Sequence, residues 1–219
     1  MNISKARFFV LGVSVIGLGV ICGTLLWLQL APRSVYRSSE VQPLEGLGRY
    51  GAVPEFSLVE RGGNSVTLAD VRGKVWVADF IYTTCEDTCP MQSAAMARLQ
   101  ERFGNYSQFR LVSFSVDPDR DTPQMLARYA ERYKADAAGW LFLTGDKEEI
   151  TRLVQLGFRL SAAALTDGDS RETVILHSPR FVLVDGNNEI RGYYDSRDGK
   201  AIERLTKDAT TLINNQRSG

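Results

Sequence analysis

The chain has 219 residues, 44% of them hydrophobic, and its 26 lysine and arginine residues balance its 26 aspartate and glutamate residues. This balance removes the electrostatic case for nucleic acid, or for an acidic surface, as a partner. Three cysteines and one histidine are too few for a disulfide-rich secreted scaffold. The length allows one good-sized folded core together with one membrane segment.

The first 31 residues predict a membrane anchor. Residues 8–30 are almost wholly apolar, and a helix that spans a bilayer needs about 20 such residues. A cleaved signal peptide is the alternative, but its apolar region is usually about 7–15 residues long and ends in small residues. Lys5 and Arg7 favour a cytoplasmic N-terminus. We therefore expect a single-pass protein of the inner membrane with its soluble domain on the periplasmic side.

A linker is predicted at residues 32–52, where Pro, Ser, Gly and charged residues mix without a clear period. The soluble domain is predicted to occupy residues 53–219. It begins with a small hairpin formed by residues 56–59 and 66–68. The continuous apolar run at 75–82 then predicts a buried strand.

Helices and strands alternate through the rest of the domain. Further strands are predicted at 109–116, 140–143, 181–185 and 189–194, and helices at 90–102, 122–134, 146–157 and 200–215, with an exposed loop at 161–172. This order predicts an α/β domain in which helices flank a central mixed sheet. A cysteine pair directly after the first long strand makes the domain thioredoxin-like.

Cys85 and Cys89 lie where the predicted strand at 75–82 passes into the next helix. Unpaired N–H groups and the dipole at a helix N-terminus favour a thiolate over a thiol. If both cysteines were helical, their Cβ atoms would be about 5–6 Å apart, whereas a disulfide needs about 3.8 Å. The spacing therefore favours a metal site that can also be oxidised over a purely structural disulfide. The alternative, two buried small apolar residues, fits this position poorly.

Four segments carry a resemblance to a known family. They are FIYTTCEDTCP at 80–90, SVDPDRDTP at 115–123, WLFLTG at 140–145 and HSPRFVLVD at 177–185. In this order they resemble the Sco/SenC family, thioredoxin-like, membrane-anchored copper proteins of cytochrome c oxidase assembly. Glu86 is a departure, because many members carry proline at this position.

The resemblance implies that Cys85, Cys89 and His177 bind copper, as Cu(I) or Cu(II). It also implies delivery of the copper to the dinuclear copper site of cytochrome c oxidase subunit II. A copper donor protein is a further candidate partner. Two thiolates suit Cu(I), and an added imidazole allows Cu(II). Zinc is the rival metal, since two cysteines and one histidine also form a catalytic zinc site. His177 is the only histidine of the chain and precedes a strand whose start should face the cysteines.

Other functions use the same two cysteines. In a thiol–disulfide oxidoreductase, Cys85 and Cys89 would form a redox-active disulfide that keeps the thiols of the target reduced, although reductants of the thioredoxin type have two residues between the cysteines rather than three. A redox or copper sensor would have the same sequence. A peroxidase of the peroxiredoxin type is disfavoured, because Tyr82 replaces the threonine expected three residues before the reactive cysteine.

A charged loop follows the second long predicted strand. It contains Asp117, Asp119, Arg120 and Asp121. Loops at the carboxyl ends of strands are where α/β folds bind ligands or partners, so this loop is a candidate partner-contact loop. The alternative is a solvated loop whose acidic residues cap the next helix.

Overall fold

The computed structural model describes residues 47–86, 88–160 and 178–217. Within these ranges the chain forms a seven-stranded sheet, in the order β2-β1-β5-β4-β3-β6-β7. The strands are β1 Ser57–Glu60, β2 Ser65–Thr67, β3 Val75–Ile81, β4 Phe109–Ser115, β5 Trp140–Thr144, β6 Arg180–Val184 and β7 Ile190–Asp195. β3, β4 and β5 are parallel, while β6 runs antiparallel to β3 and β1 antiparallel to β5. The sheet is therefore mixed, as predicted.

Helices cover both faces of this sheet. They are α1 Leu68–Val71, α2 Thr88–Phe103, α3 Pro123–Arg132, α4 Lys147–Arg152 with a π-helical turn at Leu153–Gly157, and α5 Gly199–Arg217. Apolar residues of α2, α3 and α5 pack on one face, and those of α1, α4 and the π-helical turn pack on the other. The result is a three-layer α/β domain with thioredoxin-like character.

Strand β3 is central because both of its faces are covered. All seven of its residues are buried, which explains why its sequence is apolar at every position except Asp79 rather than alternating. Odd-numbered positions such as Val77 and Ile81 face α2, α3 and α5, and even-numbered positions such as Trp76 and Phe80 face α1 and α4. Asp79 is the one charged residue in the strand, and it follows the odd-numbered pattern.

Two predicted helix starts are confirmed. The hydroxyl of Thr122 accepts a hydrogen bond from the Met125 backbone N–H at 3.3 Å, with Pro123 at the first helical position. The carboxylate of Asp146 accepts one from the Glu149 backbone N–H at 2.9 Å. The predicted helix from Asp146 to about 157 is α4 followed by the π-helical turn.

The predicted hairpin strand at 66–68 is wrong at its end, because Leu68 begins α1. Thr67 and Asp70 form a capping box there: the backbone N–H and the hydroxyl of Thr67 both donate to Asp70, at 2.7 and 2.8 Å. Both groups of Thr67 are thus used to start a helix, and this ends the strand.

The folded domain also begins earlier than the predicted Val53. Gly48 and Tyr50 donate backbone hydrogen bonds to Arg191 and Ile190 at 2.8 and 2.9 Å, and Ala52 forms a bridge with Glu189. These residues of the predicted linker pair with β7 and its turn. The predicted anchor at 1–31, most of the predicted linker and the predicted loop at 161–172 lie outside the described residues. Across the described ranges, each helix falls short of what a bilayer crossing requires in length and apolar character.

Candidate functional site

The two cysteines of the soluble domain lie together at the end of β3. Cys85 is in the loop before α2 and Cys89 is the second residue of α2; both are buried and are not joined in a disulfide. The backbone N–H of Cys89 donates to the Cys85 sulfur at 3.4 Å. The sulfur therefore satisfies one of the N–H groups that a helix start leaves unpaired. Because Cys85 lies outside the helix, the Cβ separation expected for two helical cysteines does not apply.

The pKa of the Cys89 thiol is raised, whereas the sequence-based argument from the helix N-terminus expected it to be lowered. Burial raises the pKa of Cys89 strongly, its hydrogen bond with Cys85 raises the pKa further, and a backbone hydrogen bond with Tyr82 lowers it less. Desolvation of the thiolate therefore outweighs the backbone hydrogen bond that favours it. Burial thus favours the protonated thiol of Cys89.

A buried carboxyl lies on the same face of the sheet. Asp79 is fully buried, and burial raises its pKa to about 7, against the smaller lowering effect of a hydrogen bond from Ser113. The Ser113 hydroxyl donates to Asp79 Oδ1 at 2.6 Å and accepts a hydrogen bond from Trp140 Nε1 at 2.9 Å. Asp79 Oδ2 has no partner among the described residues. Sequence reasoning missed this residue, although a single charged residue inside an apolar strand was the available signal.

The predicted third ligand, His177, lies outside the described residues, but its neighbour Ser178 is buried at the site. The Ser178 carbonyl accepts a hydrogen bond at 3.1 Å from Nε2 of Gln92, a buried residue of α2. β6 runs antiparallel to β3, so its start lies at the end of β3 that leads to Cys85. Within residues 47–86, 88–160 and 178–217, no three His, Cys, Asp or Glu side chains form a metal-binding group.

The four charged residues of the loop after β4 differ in their exposure to solvent. Asp119 and Arg120 are exposed, whereas Asp117 and Asp121 are buried. Arg120 pairs with Asp117 at 3.2 Å, and the Asp121 carboxylate accepts hydrogen bonds from Thr83 and Ser115. The predicted partner contact is therefore restricted to the exposed residues of the loop.

Comparison with known proteins identifies the family. The SCO1/SenC family model matches residues 46–214. The chain belongs to the SCO1/SenC family. The SCO1 protein homolog of Bacillus subtilis is 32% identical over 165 residues, which cover 73% of this chain and 83% of that protein.

Two solved structures of the family have the same fold. BsSco, a member of the Sco family of cytochrome c oxidase assembly proteins in which a disulfide switch was identified, is 29% identical with a TM-score of 0.64, covering 79% of this chain and 96% of that one. Arabidopsis thaliana ScoI, solved with copper bound, is 25% identical with a TM-score of 0.61, covering 75% of this chain and 99% of that one. The predicted thioredoxin-like Sco fold is confirmed.

Proposed function

We propose that this protein binds copper through Cys85, Cys89 and His177 and delivers it to the copper site of cytochrome c oxidase subunit II. The observation that carries the proposal is the contact between the Cys89 N–H and the Cys85 sulfur at the end of β3. It puts the start of α2, which carries Cys89, against the sulfur of Cys85, and this supports two sulfurs that share one metal; His177 is three residues before β6. The solved copper-bound ScoI and the assembly role of the Sco family support the metal and the partner.

The chemistry of the two thiols fits a soft metal. Copper binds thiolates, so the proton that burial holds on Cys89 must leave when the metal binds. Copper affinity therefore rises with pH. Two sulfurs suit Cu(I), and the imidazole of His177 adds the nitrogen that Cu(II) prefers. Zinc could use the same three ligands, so the test needs a direct competition between the metals.

Anchoring belongs to the same proposal. The apolar run at residues 8–30 would hold the protein in the inner membrane, with the domain on the periplasmic side. A copper donor protein would then load the site from the same side. The exposed Asp119 and Arg120 are candidates for the contact with a partner.

A thiol–disulfide oxidoreductase is the second candidate, favoured by two neighbouring cysteines that are not joined in a disulfide and by the disulfide switch of BsSco. Attack on a disulfide needs an accessible thiolate. Both cysteines are buried, Cys85 with 6% of its surface exposed and Cys89 with none, and the pKa of Cys89 is raised, so Cys85 is the better placed of the two to attack.

The experiment compares the full chain in detergent with Cys85→Ser, Cys89→Ser and His177→Ala. Copper and zinc are titrated in competition, thiol exchange is measured with a small disulfide, and oxidase activity is measured in copper-limited cells. We expect the cysteine variants to lose copper binding and thiol exchange. His177→Ala should retain thiol exchange, bind Cu(II) much more weakly and fail to support oxidase assembly. If His177→Ala supported normal oxidase assembly, the copper-carrier proposal would be rejected in favour of the oxidoreductase.

A further inference from the structure

Asp121 connects the loop that carries Cys85 to the loop that follows β4. Its fully buried carboxylate accepts hydrogen bonds from the Thr83 backbone N–H at 3.0 Å, the Thr83 hydroxyl at 2.5 Å and the Ser115 hydroxyl at 2.7 Å. Thr83 is therefore fixed through both its backbone and its side chain.

The position of Thr83 determines where Cys85 lies. One residue separates them, the Cys85 N–H donates to the Tyr82 carbonyl at 3.2 Å, and the Cys85 sulfur accepts from the Cys89 N–H at 3.4 Å. In the dithiol form, contacts thus continue from Asp121 to the sulfur of Cys85. A disulfide requires the two sulfurs to approach to about 2.05 Å. At least one cysteine must move, and Cys85, in a loop, is freer to move than Cys89 in α2.

We propose that Asp121 is a positioning residue that stabilises the dithiol form of the Cys85–Cys89 pair over its disulfide. The inference rests on the redox use of this pair in the proposed function. On oxidation by a small disulfide such as glutathione disulfide, the two thiols lose two electrons and two protons; one protein disulfide and two glutathione molecules result. These contacts of Asp121 are made in the dithiol arrangement, and closing the disulfide moves Cys85 at the end of the same loop, so we expect their removal to weaken the dithiol form more than the disulfide.

The test measures the equilibrium between the full chain in detergent and a glutathione buffer. Thr83→Val removes the hydroxyl and keeps the size of the side chain. We expect it to lower the equilibrium constant for reduction of the disulfide about 10-fold, which corresponds to a reduction potential about 30 mV lower. Thr83→Ser retains the hydroxyl and should have the wild-type potential. Asp121→Asn should shift the potential in the same direction as Thr83→Val, and the two Thr83 variants suffice if it does not fold.

Thr67→Val is the matched control. The N–H and hydroxyl of Thr67 both donate to Asp70, so the lost bond again joins a threonine hydroxyl to a carboxyl group, here at an exposed position. β2 lies at the edge of the sheet, four strands away from β3. It should destabilise the protein without changing the potential. Urea unfolding of both redox forms completes the test.

The inference would be overturned if Thr83→Val had an unchanged or higher reduction potential. Urea unfolding would then show that the variant destabilises the two redox forms equally, or the disulfide form more. Copper titration of the same samples keeps the two proposals distinct. If the wild-type protein fails to bind copper, the proposed function fails while the potentials still decide the role of Asp121.

Discussion

The backbone N–H of Cys89 donates a hydrogen bond to the sulfur of Cys85 across 3.4 Å. The sulfur of the first cysteine thereby contacts the first turn of the helix that contains the second, and the two residues are not joined by a disulfide. Oxidation replaces this contact with a disulfide, whose sulfurs lack the donor strength of thiolates.

The first prediction is that only the dithiol form takes up copper. We expect the oxidised protein to bind Cu(I) and Cu(II) more weakly by more than about 100-fold, since thiolates are the ligands. The measurement is a copper titration of oxidised protein and of protein reduced and freed of reductant. Re-reduction of the oxidised sample is the control and should restore binding. Equal uptake by both forms would contradict the assignment of Cys85 and Cys89 as ligands.

Local sequence rules predicted most of the fold. The apolar run of β3 and the caps at Thr122 and Asp146 were correct, because each depends on residues close together in the chain. The strand predicted through Leu68 failed where a capping box competed with strand pairing. Pairing of residues 48–52 with β7 joins segments far apart in sequence, and no local pattern predicts that contact.

The candidate site was predictable in its residue types but not in its burial. The motif placed Cys85 and Cys89 at a strand–helix junction, and the structure has them there. The rise in the pKa of Cys89 depends on side chains from several elements, so a helix-terminus argument gave the wrong direction. The burial of Asp121 was likewise not predictable, because its hydrogen-bond partner Thr83 is 38 residues away in the sequence. The role of His177 stays a prediction, since the residue lies outside the described ranges.

The second prediction concerns Asp79 and the pH dependence of stability. Its pKa is about 7 in the folded protein and 3.8 ordinarily, so between these values the unfolded chain loses a proton that the folded protein keeps. The free energy of unfolding therefore falls as pH rises from about 4 to about 7, by up to about 4 kcal/mol, and then levels off with respect to this group. Below about pH 4 Asp79 is protonated in both the folded and the unfolded chain, so this loss of stability is absent there.

Asp79→Asn removes this titration. Urea unfolding of the reduced, metal-free protein at pH 5 and pH 8 should show a smaller loss of stability in the variant than in the wild type. Glu101→Gln, at an exposed position of α2, is the control and should leave the difference between the two pH values unchanged. Identical slopes for Asp79→Asn and wild type would show that Asp79 ionises normally in the folded protein.

The third prediction is that residues 1–31 serve only as an anchor. A shortened chain that begins at Arg33 should be soluble and monomeric, because it lacks the apolar run at 8–30 and keeps Cys85, Cys89 and His177. Its copper affinity should equal that of the full chain in detergent. The measurements are sedimentation and copper titration. Loss of copper binding would give the N-terminal segment a part in the site, and a natural N-terminus near residue 30 would indicate cleavage instead of anchoring.

The last prediction tests Gln92, whose amide Nε2 donates to the Ser178 carbonyl at 3.1 Å. His177 is bonded to Ser178, so this contact fixes the backbone next to the proposed ligand. Gln92→Leu keeps the size of the side chain and removes the hydrogen bond. We expect Cu(II) affinity to fall about 10-fold, as for other residues that orient a metal ligand. Cu(I) affinity should fall less, and thiol exchange should stay unchanged.

Gln100→Leu is the matched control, because Gln100 also lies on α2 and donates through Nε2 to a backbone carbonyl, that of Lys134 at 3.0 Å. It should lower stability without changing Cu(II) affinity. If Gln92 acts through the imidazole, Gln92→Leu should have no further effect on Cu(II) affinity in a His177→Ala background. Additive losses in the double variant would mean that Gln92 affects copper by another route, such as the position of α2 and Cys89.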